Sequence, residues 1–120
     1  MNLTKLKLLM KKWTVNIPIY NFEIEILYDE DMQNMVNYIS EAHFLSPTYE
    51  GSLSDYDALT WPINGSLIII TTTTTNKYVI VHECVHVVWS MFKSCGIDDE
   101  ESFAYMLQYL YKQVMDKFND

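Results

Sequence analysis

The sequence predicts one α+β domain over residues 1–120, in which a short sheet of about three strands packs on a long apolar helix with flanking helices. Three observations predict this class. Residues 21–28 alternate between apolar and acidic side chains, as a half-buried strand does. Residues 66–74 are rich in isoleucine and threonine, which favour a strand. Residues 79–89 form an apolar stretch whose polar residues recur at helical spacing.

The start of the chain predicts a helix, a connector and the first strand. The first thirteen residues mix leucine and lysine, which indicates a weakly amphipathic surface helix. Residues 14–19 contain Pro18 and are expected to form an extended connector. The strand over residues 21–28 would turn its apolar residues to the core, and Glu23 and Glu25 to solvent.

The middle of the chain predicts a helix, a loop and a hairpin. Apolar residues at i, i+3, i+4 and i+7 indicate a helix over residues 32–39. Residues 43–57 contain proline and glycine and predict a loop, in which His43 is interpreted as a surface or helix-end residue rather than a metal ligand. An Asn-Gly pair at positions 64–65 predicts a hairpin, and Pro62 favours an edge position for its first strand.

Two helices are expected in the last third of the chain. The first would be capped by Thr75 or Asn76 and would end near Cys95, with Gly96 as the left-handed closing residue. The second would begin in the acidic cluster that follows and reach about Phe118, with an apolar stripe toward the core.

Charge and cysteine content restrict the classes of function. The chain has a net charge of −8 and no arginine, which argues against nucleic-acid binding through a basic surface. No apolar run is long and uninterrupted enough for a signal sequence or a membrane span, so no membrane partner is expected. On one straight helix Cys84 and Cys95 would lie roughly 16 Å apart, beyond disulfide reach. Reduced thiols fit a cytoplasmic protein.

The apolar stretch contains His82-Glu83-Cys84-Val85-His86, an HExxH pattern. Residues four apart lie on one face of a helix, so both imidazoles can bind one zinc ion and leave a position for water. Glu83 lies beside them and can take a proton from that water, whose pKa zinc lowers to about 7. Cys84 points away from the histidines and is expected to be a packed thiol. The alternative is a hydrogen-bonded histidine pair inside the core.

A catalytic zinc ion needs a third protein ligand. The acidic cluster after the motif helix is the one immediately downstream, and a short turn would fold the last helix back against the motif helix. Glu101 is the candidate, with Glu100 and Asp99 as alternatives. A competing interpretation is a capping box from Asp98 to Glu101, in which the glutamate bonds the start of its own helix.

Two aromatic residues and one methionine near these candidate ligands also have expected roles. Tyr105 lies one turn after the candidate glutamate, so its phenol is placed to stabilise an oxyanion. The alternative is an aromatic ring packed between the two helices. Trp89 and Met91 are expected to be core residues.

The segment Glu101-Ser102-Phe103-Ala104 resembles the Glu-Gly-Phe-Ala segment that carries the third zinc ligand in aminopeptidase gluzincins. With the HExxH pattern and the Tyr105 that follows, the chain more closely resembles small metallopeptidase-like proteins of phages and prophages, over roughly residues 57–110. The resemblance implies a minimal zincin-like domain with Glu83 as general base and zinc held by His82, His86 and Glu101.

The expected function is zinc-dependent peptide-bond hydrolysis, in which Glu83 is the base toward a metal-activated water and the substrate is a peptide or protein. A groove between the edge strand around residues 59–61 and the motif helix would take an extended peptide as a further strand. The alternative is a non-catalytic, zinc-stabilised phage structural or host-interaction protein. A phage protein would work in the host cytoplasm, and the sequence leaves the oligomeric state open.

Overall fold

The computed structural model describes residues 10–119, which contain four strands and three α-helices. The strands are β1 (Lys11–Ile17), β2 (Phe22–Tyr28), β3 (Ala58–Asn64) and β4 (Leu67–Thr72). The helices are α1 (Met32–His43), α2 (Lys77–Cys95) and α3 (Glu100–Phe118). Short 3-10 turns lie at Pro18–Tyr20 and Leu53–Asp55. The predicted α+β class is confirmed.

The strands form one mixed sheet in the order β1-β2-β4-β3. The two outer pairs are antiparallel, and the central pair of β2 and β4 is parallel. Parallel neighbours need a long connection between them. Here that connection contains α1 and β3, so β3 reaches the edge of the sheet beside the strand that leads into α2.

Each face of the sheet carries its own apolar core. On one face α2 and α3 pack against inward residues of the sheet such as Ile24 and Ile26, which are fully buried. On the other face α1 packs against Leu27 and Ile69. A strand covered on both faces is expected to be apolar without interruption, as Ile68–Ile70 within β4 is. The sheet therefore buries one side of α2 and leaves its other side to solvent.

Strand β1 corrects the predictions for the start of the chain. Residues 11–17 form a strand antiparallel to β2, where the sequence pattern predicts the end of a helix and a connector. Alternate residues Trp13, Val15 and Ile17 pack toward the α2 and α3 core, so the two-residue period decides the local structure. The sheet has four strands rather than about three. Residues 1–9, which hold most of the predicted helix, lie outside the described residues.

Glu25 is buried, which corrects the prediction that it faces solvent. Helix α1 covers this face of the sheet, and Glu25 is only 5% exposed. The Lys12 ammonium lies 3.5 Å from a carboxylate oxygen of Glu25 and donates a hydrogen bond to the Tyr38 hydroxyl (3.4 Å). Ionised side chains are rarely buried without a partner. Lys12, from the neighbouring strand, is the partner that the alternation within β2 does not reveal.

The predicted hairpin of β3 and β4 is confirmed, but its turn lies one residue later than the Asn-Gly pair, because Asn64 still pairs with Leu67. Gly65 and Ser66 form the turn, and the Asn64 side-chain oxygen accepts a hydrogen bond from the Ser66 N–H (2.8 Å). Trp61 is buried, and its indole N–H donates to the Thr71 hydroxyl of β4 (2.9 Å). The ladder and this side-chain bond hold β3 in place at the edge of the sheet.

Candidate functional site

Helix α2 presents the HExxH residues, and its ends have the predicted caps. The Asn76 side-chain oxygen accepts hydrogen bonds from the N–H groups of Tyr78 (2.9 Å) and Val79 (3.4 Å), and Gly96 closes the helix at a φ of 70°. One side of the helix is fully buried, a stripe made of Ile80, Cys84, Val87, Val88 and Met91. The histidines of the motif therefore lie on the solvent side.

His82 and His86 meet at the surface of α2. Their Nε2 atoms are 3.1 Å apart, and both side chains are exposed, so the alternative of a histidine pair inside the core is wrong. Two nitrogen ligands at about 2.0–2.1 Å from a tetrahedral zinc ion are about 3.3 Å apart. The two imidazoles thus fit adjacent ligand positions of one ion. The contact is also short enough for one imidazole N–H to bond the other nitrogen, although exposed bonds of this kind compete with water.

Glu83 lies beside the histidines but points into the protein. It is 6% exposed, and its Oε1 accepts a hydrogen bond from the Thr60 hydroxyl (3.0 Å). The same hydroxyl lies 3.3 Å from the Glu83 backbone oxygen. The two ion pairs within residues 10–119 are Lys12–Glu25 and Lys112–Asp116. Neither involves Glu83, so this carboxylate is buried without a cation. Thr60 stands in β3, and the bond therefore joins the motif helix to the edge strand.

The backbone of β3 is open on the side away from β4. The Asp57 carbonyl accepts a hydrogen bond from the Thr73 N–H (2.8 Å), which makes these two residues a hydrogen-bonded pair. Such pairs alternate along an antiparallel ladder, so every second residue of β3 turns its backbone groups outward, namely Ala58, Thr60 and Pro62. No other strand of residues 10–119 pairs with this side. The predicted edge strand is therefore present, and Thr60 of this strand contacts Glu83 of α2. The predicted peptide groove between β3 and α2 stays a prediction.

Cys84 is a packed thiol, as predicted. It is fully buried among the core residues of α2. Burial, and secondly the charge of Glu83, raise the pKa of the Cys84 thiol to about 12. Cys84 lies in the buried stripe of α2, whereas His82 and His86 are on its exposed side, so the thiol does not share a face with the two imidazoles.

We expect one thiol per chain to react with a disulfide reagent in the native protein at about pH 8, and two after unfolding. Cys95 is exposed, whereas Cys84 is buried and protonated. The Cys95→Ser variant should therefore show no reactive thiol until it is unfolded, and Cys84→Ser should keep the native value. Fast labelling of both thiols in the native wild type would contradict the burial of Cys84. The measurement is the absorbance of the released thiolate.

Glu101 lies in the first turn of α3 and is exposed. The rings of Phe92 and Phe103, with centroids 5.9 Å apart, set the register of the antiparallel helices α2 and α3. Counted from that contact at 1.5 Å per residue, His86 and Glu101 are roughly 12 Å apart along the helix axes. Within residues 10–119 no group of three or more His, Cys, Asp or Glu side chains is arranged to hold a metal ion. Glu101 as third ligand stays a prediction.

Asp99 caps α3, so the predicted capping box from Asp98 to Glu101 is wrong. The Asp99 carboxylate accepts hydrogen bonds from the hydroxyl and the N–H of Ser102, the latter at 3.0 Å. These bonds, first that of the hydroxyl, lower the pKa of Asp99. Asp99 is an alternative third zinc ligand, but its carboxylate is already bonded to Ser102. Glu100, the other alternative, is exposed beside it.

Tyr105 and Trp89 are exposed by 69% and 64%, respectively. The interpretation of Trp89 as a core residue is wrong, because it follows His86 by three residues and shares its outward side of α2. Met91 is fully buried, as expected. Tyr105 is not packed between the helices, and its catalytic role stays a prediction.

No protein-family model, curated protein sequence or solved structure matches this chain. The assignment of a function therefore depends on the geometry of α2 and β3 and on the motif resemblance. Over residues 10–119, no helix combines the length and the apolar character needed to cross a membrane.

Proposed function

We propose that the chain is a zinc-dependent peptidase with a minimal zincin-like site formed by α2 and the edge strand β3. One observation carries the proposal: α2 combines two surface imidazoles, 3.1 Å apart at Nε2, with a buried carboxylate that is hydrogen-bonded to β3. Burying a carboxylate without a cation is unfavourable. A function that needs this carboxylate beside the imidazoles accounts for its place.

His82 and His86 would hold the ion, and Glu101 is the proposed third ligand. Zinc bound there would act as a Lewis acid toward a peptide carbonyl and would acidify a water molecule. Because Glu101 is roughly 12 Å from His86 along the helix axes, its binding requires the first turn of α3 to move. Tyr105, which is exposed one turn after Glu101 on the same helix, is the proposed donor that stabilises a developing oxyanion with its phenol.

Glu83 is the proposed general base. Its Oε1 is held by Thr60, which leaves Oε2 to receive the proton of the attacking water and return it to the leaving amine. The helix fixes the Glu83 backbone, and Thr60 fixes the end of its side chain. A carboxylate held at both ends needs little rearrangement before it accepts a proton.

The proposed substrate is an extended peptide that pairs with the outer side of β3. Main-chain hydrogen bonds of this kind bind peptides without regard to side chains. Thr60 offers an outward N–H and C=O, whereas Pro62 offers only a carbonyl. Thr60 therefore links the two tasks, since its backbone faces the peptide and its hydroxyl holds Glu83.

Elemental analysis of the purified chain tests the proposal. We expect about one zinc ion per chain in the wild type and a sharp loss in His86→Ala, since two ligands of a catalytic site are then reduced to one. His43→Ala is the matched control, because His43 ends α1, away from α2. Glu101→Ala should also lose zinc, and Glu100→Ala should keep it. Equal zinc in His86→Ala and His43→Ala, or no zinc even after its addition, would contradict the proposal.

The second candidate is a non-catalytic zinc-stabilised structural or host-interaction protein. It is favoured by the exposure of His82 and His86 and by the lack of a third ligand beside them in residues 10–119. Two surface imidazoles can share an ion with ligands of another chain. In that case zinc should make chains associate, so that the mass of the particle in solution rises, and a chelator should reverse the association. A peptidase of the proposed kind binds zinc within one chain, so zinc should leave its state of association unchanged.

A further inference from the structure

The outward face of α2 continues from the histidines into a groove. His82, His86, Trp89 and Lys93 recur at i, i+4, i+7 and i+11, and all four are exposed. The groove begins at Trp89, lies between the end of α2 and the start of α3, and has a volume of about 610 Å³. Trp89 is roughly 4.5 Å along the axis from His86, so one bound peptide can reach both.

The inner wall of the groove is apolar. Phe92 and Phe103 meet edge to face, with ring centroids 5.9 Å apart, and Ile97 and the 64% exposed Trp89 complete the wall. A wall of this kind suits a long aliphatic stem or a flat group that lies on aromatic rings.

The rim of the groove is acidic. Asp98, Asp99 and Glu100 line it together with Lys93, so three carboxylates against one ammonium leave a formal charge of −2. Lys93 belongs to neither ion pair of the described residues. The rim therefore attracts a cation, in keeping with the net charge of −8 of the whole chain.

We propose that this groove binds a lysine or arginine side chain of a peptide. The aliphatic stem would lie on Phe92, Phe103 and Ile97, and the cationic end would reach the carboxylates and the face of Trp89. An acidic side chain is repelled by the rim, and a short polar one leaves the wall uncovered. This binding requires neither zinc nor turnover, and it uses the first turn of α3 in the position that the structure gives it.

An NMR titration of the full chain tests this inference. The chain carries Glu83→Gln, so that the probe is not consumed, and the indole N–H signals are followed. The probes are acetylated and amidated pentapeptides, Gly-Gly-X-Gly-Gly, in which X is Arg, Lys, citrulline, norleucine or Glu. We expect the Arg and Lys peptides to shift the Trp89 signal, not that of the buried Trp61, and to bind roughly tenfold tighter than the neutral probes. The Glu peptide should leave Trp89 unshifted.

Matched charge variants sharpen the test, because they should act in opposite directions. Glu100→Gln should weaken binding of the Arg peptide and Lys93→Gln should strengthen it, each by roughly threefold at low salt, with smaller changes at high salt. Lys112→Gln is the control for Lys93→Gln, since Lys112 is paired with Asp116 further along α3, outside the groove. Trp89→Ala removes an exposed ring and should weaken binding without unfolding the chain.

Equal binding of the Arg and norleucine peptides would overturn the inference, and so would a Trp89 signal that no probe shifts. These outcomes are separate from those for zinc. A chain that binds the Arg peptide at Trp89 but holds no zinc would refute the peptidase and keep the basic-peptide groove. A chain that holds zinc and cleaves peptides, but whose Trp89 signal the Arg peptide does not shift, would keep the peptidase and refute the basic-peptide groove.

Discussion

Replacing Glu83 by glutamine is expected to lower kcat for peptide hydrolysis by roughly 10²–10⁴-fold, the contribution of a positioned general base. Glutamine has the same size and keeps an oxygen that can accept the hydrogen bond from the Thr60 hydroxyl. It cannot take a proton from water. The zinc content should not change, because Glu83 is not a proposed ligand. The measurements are kcat and zinc per chain on the same samples.

Glu23→Gln is the control for this experiment, because it makes the same chemical change on an exposed residue of β2. It should leave both kcat and zinc content at the wild-type value. If Glu83→Gln retained wild-type turnover, Glu83 would not be the base. If neither the wild type nor the variant cleaved peptides while both held zinc, the structural or host-interaction alternative would be favoured.

Local patterns in the sequence are sufficient to predict most of the helices and strands. The caps of α2 at Asn76 and Gly96 depend on neighbouring residues alone, and so does the turn at Gly65 and Ser66. The HExxH spacing likewise brings His82 and His86 together, because four residues make about one helical turn. Features of this kind are encoded within a few residues and can be predicted without knowledge of the fold.

The wrong predictions have tertiary causes. Glu25 reads as a solvent-facing residue of an alternating strand, yet α1 covers it and Lys12 of the neighbouring strand pairs with it. Trp89 reads as a core residue because it is large and apolar. Its position on α2 is set by which side of the helix meets the sheet, and that side is the stripe containing Ile80. An apolar helix does not by itself reveal which of its sides is buried.

The candidate site also combines features that local sequence predicts with features that depend on the fold. The sequence identified Glu83 but not Thr60, although the strand around it was expected to form one wall of the groove. A lone hydroxyl between Leu59 and Trp61 was the available signal. The sequence alone does not show that β3 contacts α2 at Thr60, because that contact depends on the order of strands in the sheet. The third ligand likewise depends on the register of α2 and α3.

Thr60→Val is expected to lower both stability and catalysis. Valine fits the space of threonine but has no hydroxyl, so Glu83 Oε1 loses its donor while the carboxylate remains buried. A buried polar group left without its partner costs about 1–3 kcal/mol of unfolding free energy. A base that is no longer held in position should lower kcat by roughly 10–100-fold. Chemical denaturation and steady-state kinetics measure the two effects.

The split between kcat and KM separates positioning of the base from binding of the peptide. The outward backbone groups of Thr60 are unchanged in valine, so KM should stay near its wild-type value while kcat falls. Thr60→Ser restores the hydroxyl and should recover most of the lost rate. In a Glu83→Gln background, Thr60→Val should have little further effect on turnover, because the two residues act as one unit. Loss of stability with an unchanged kcat would show that the bond between Thr60 and Glu83 only holds β3 to α2.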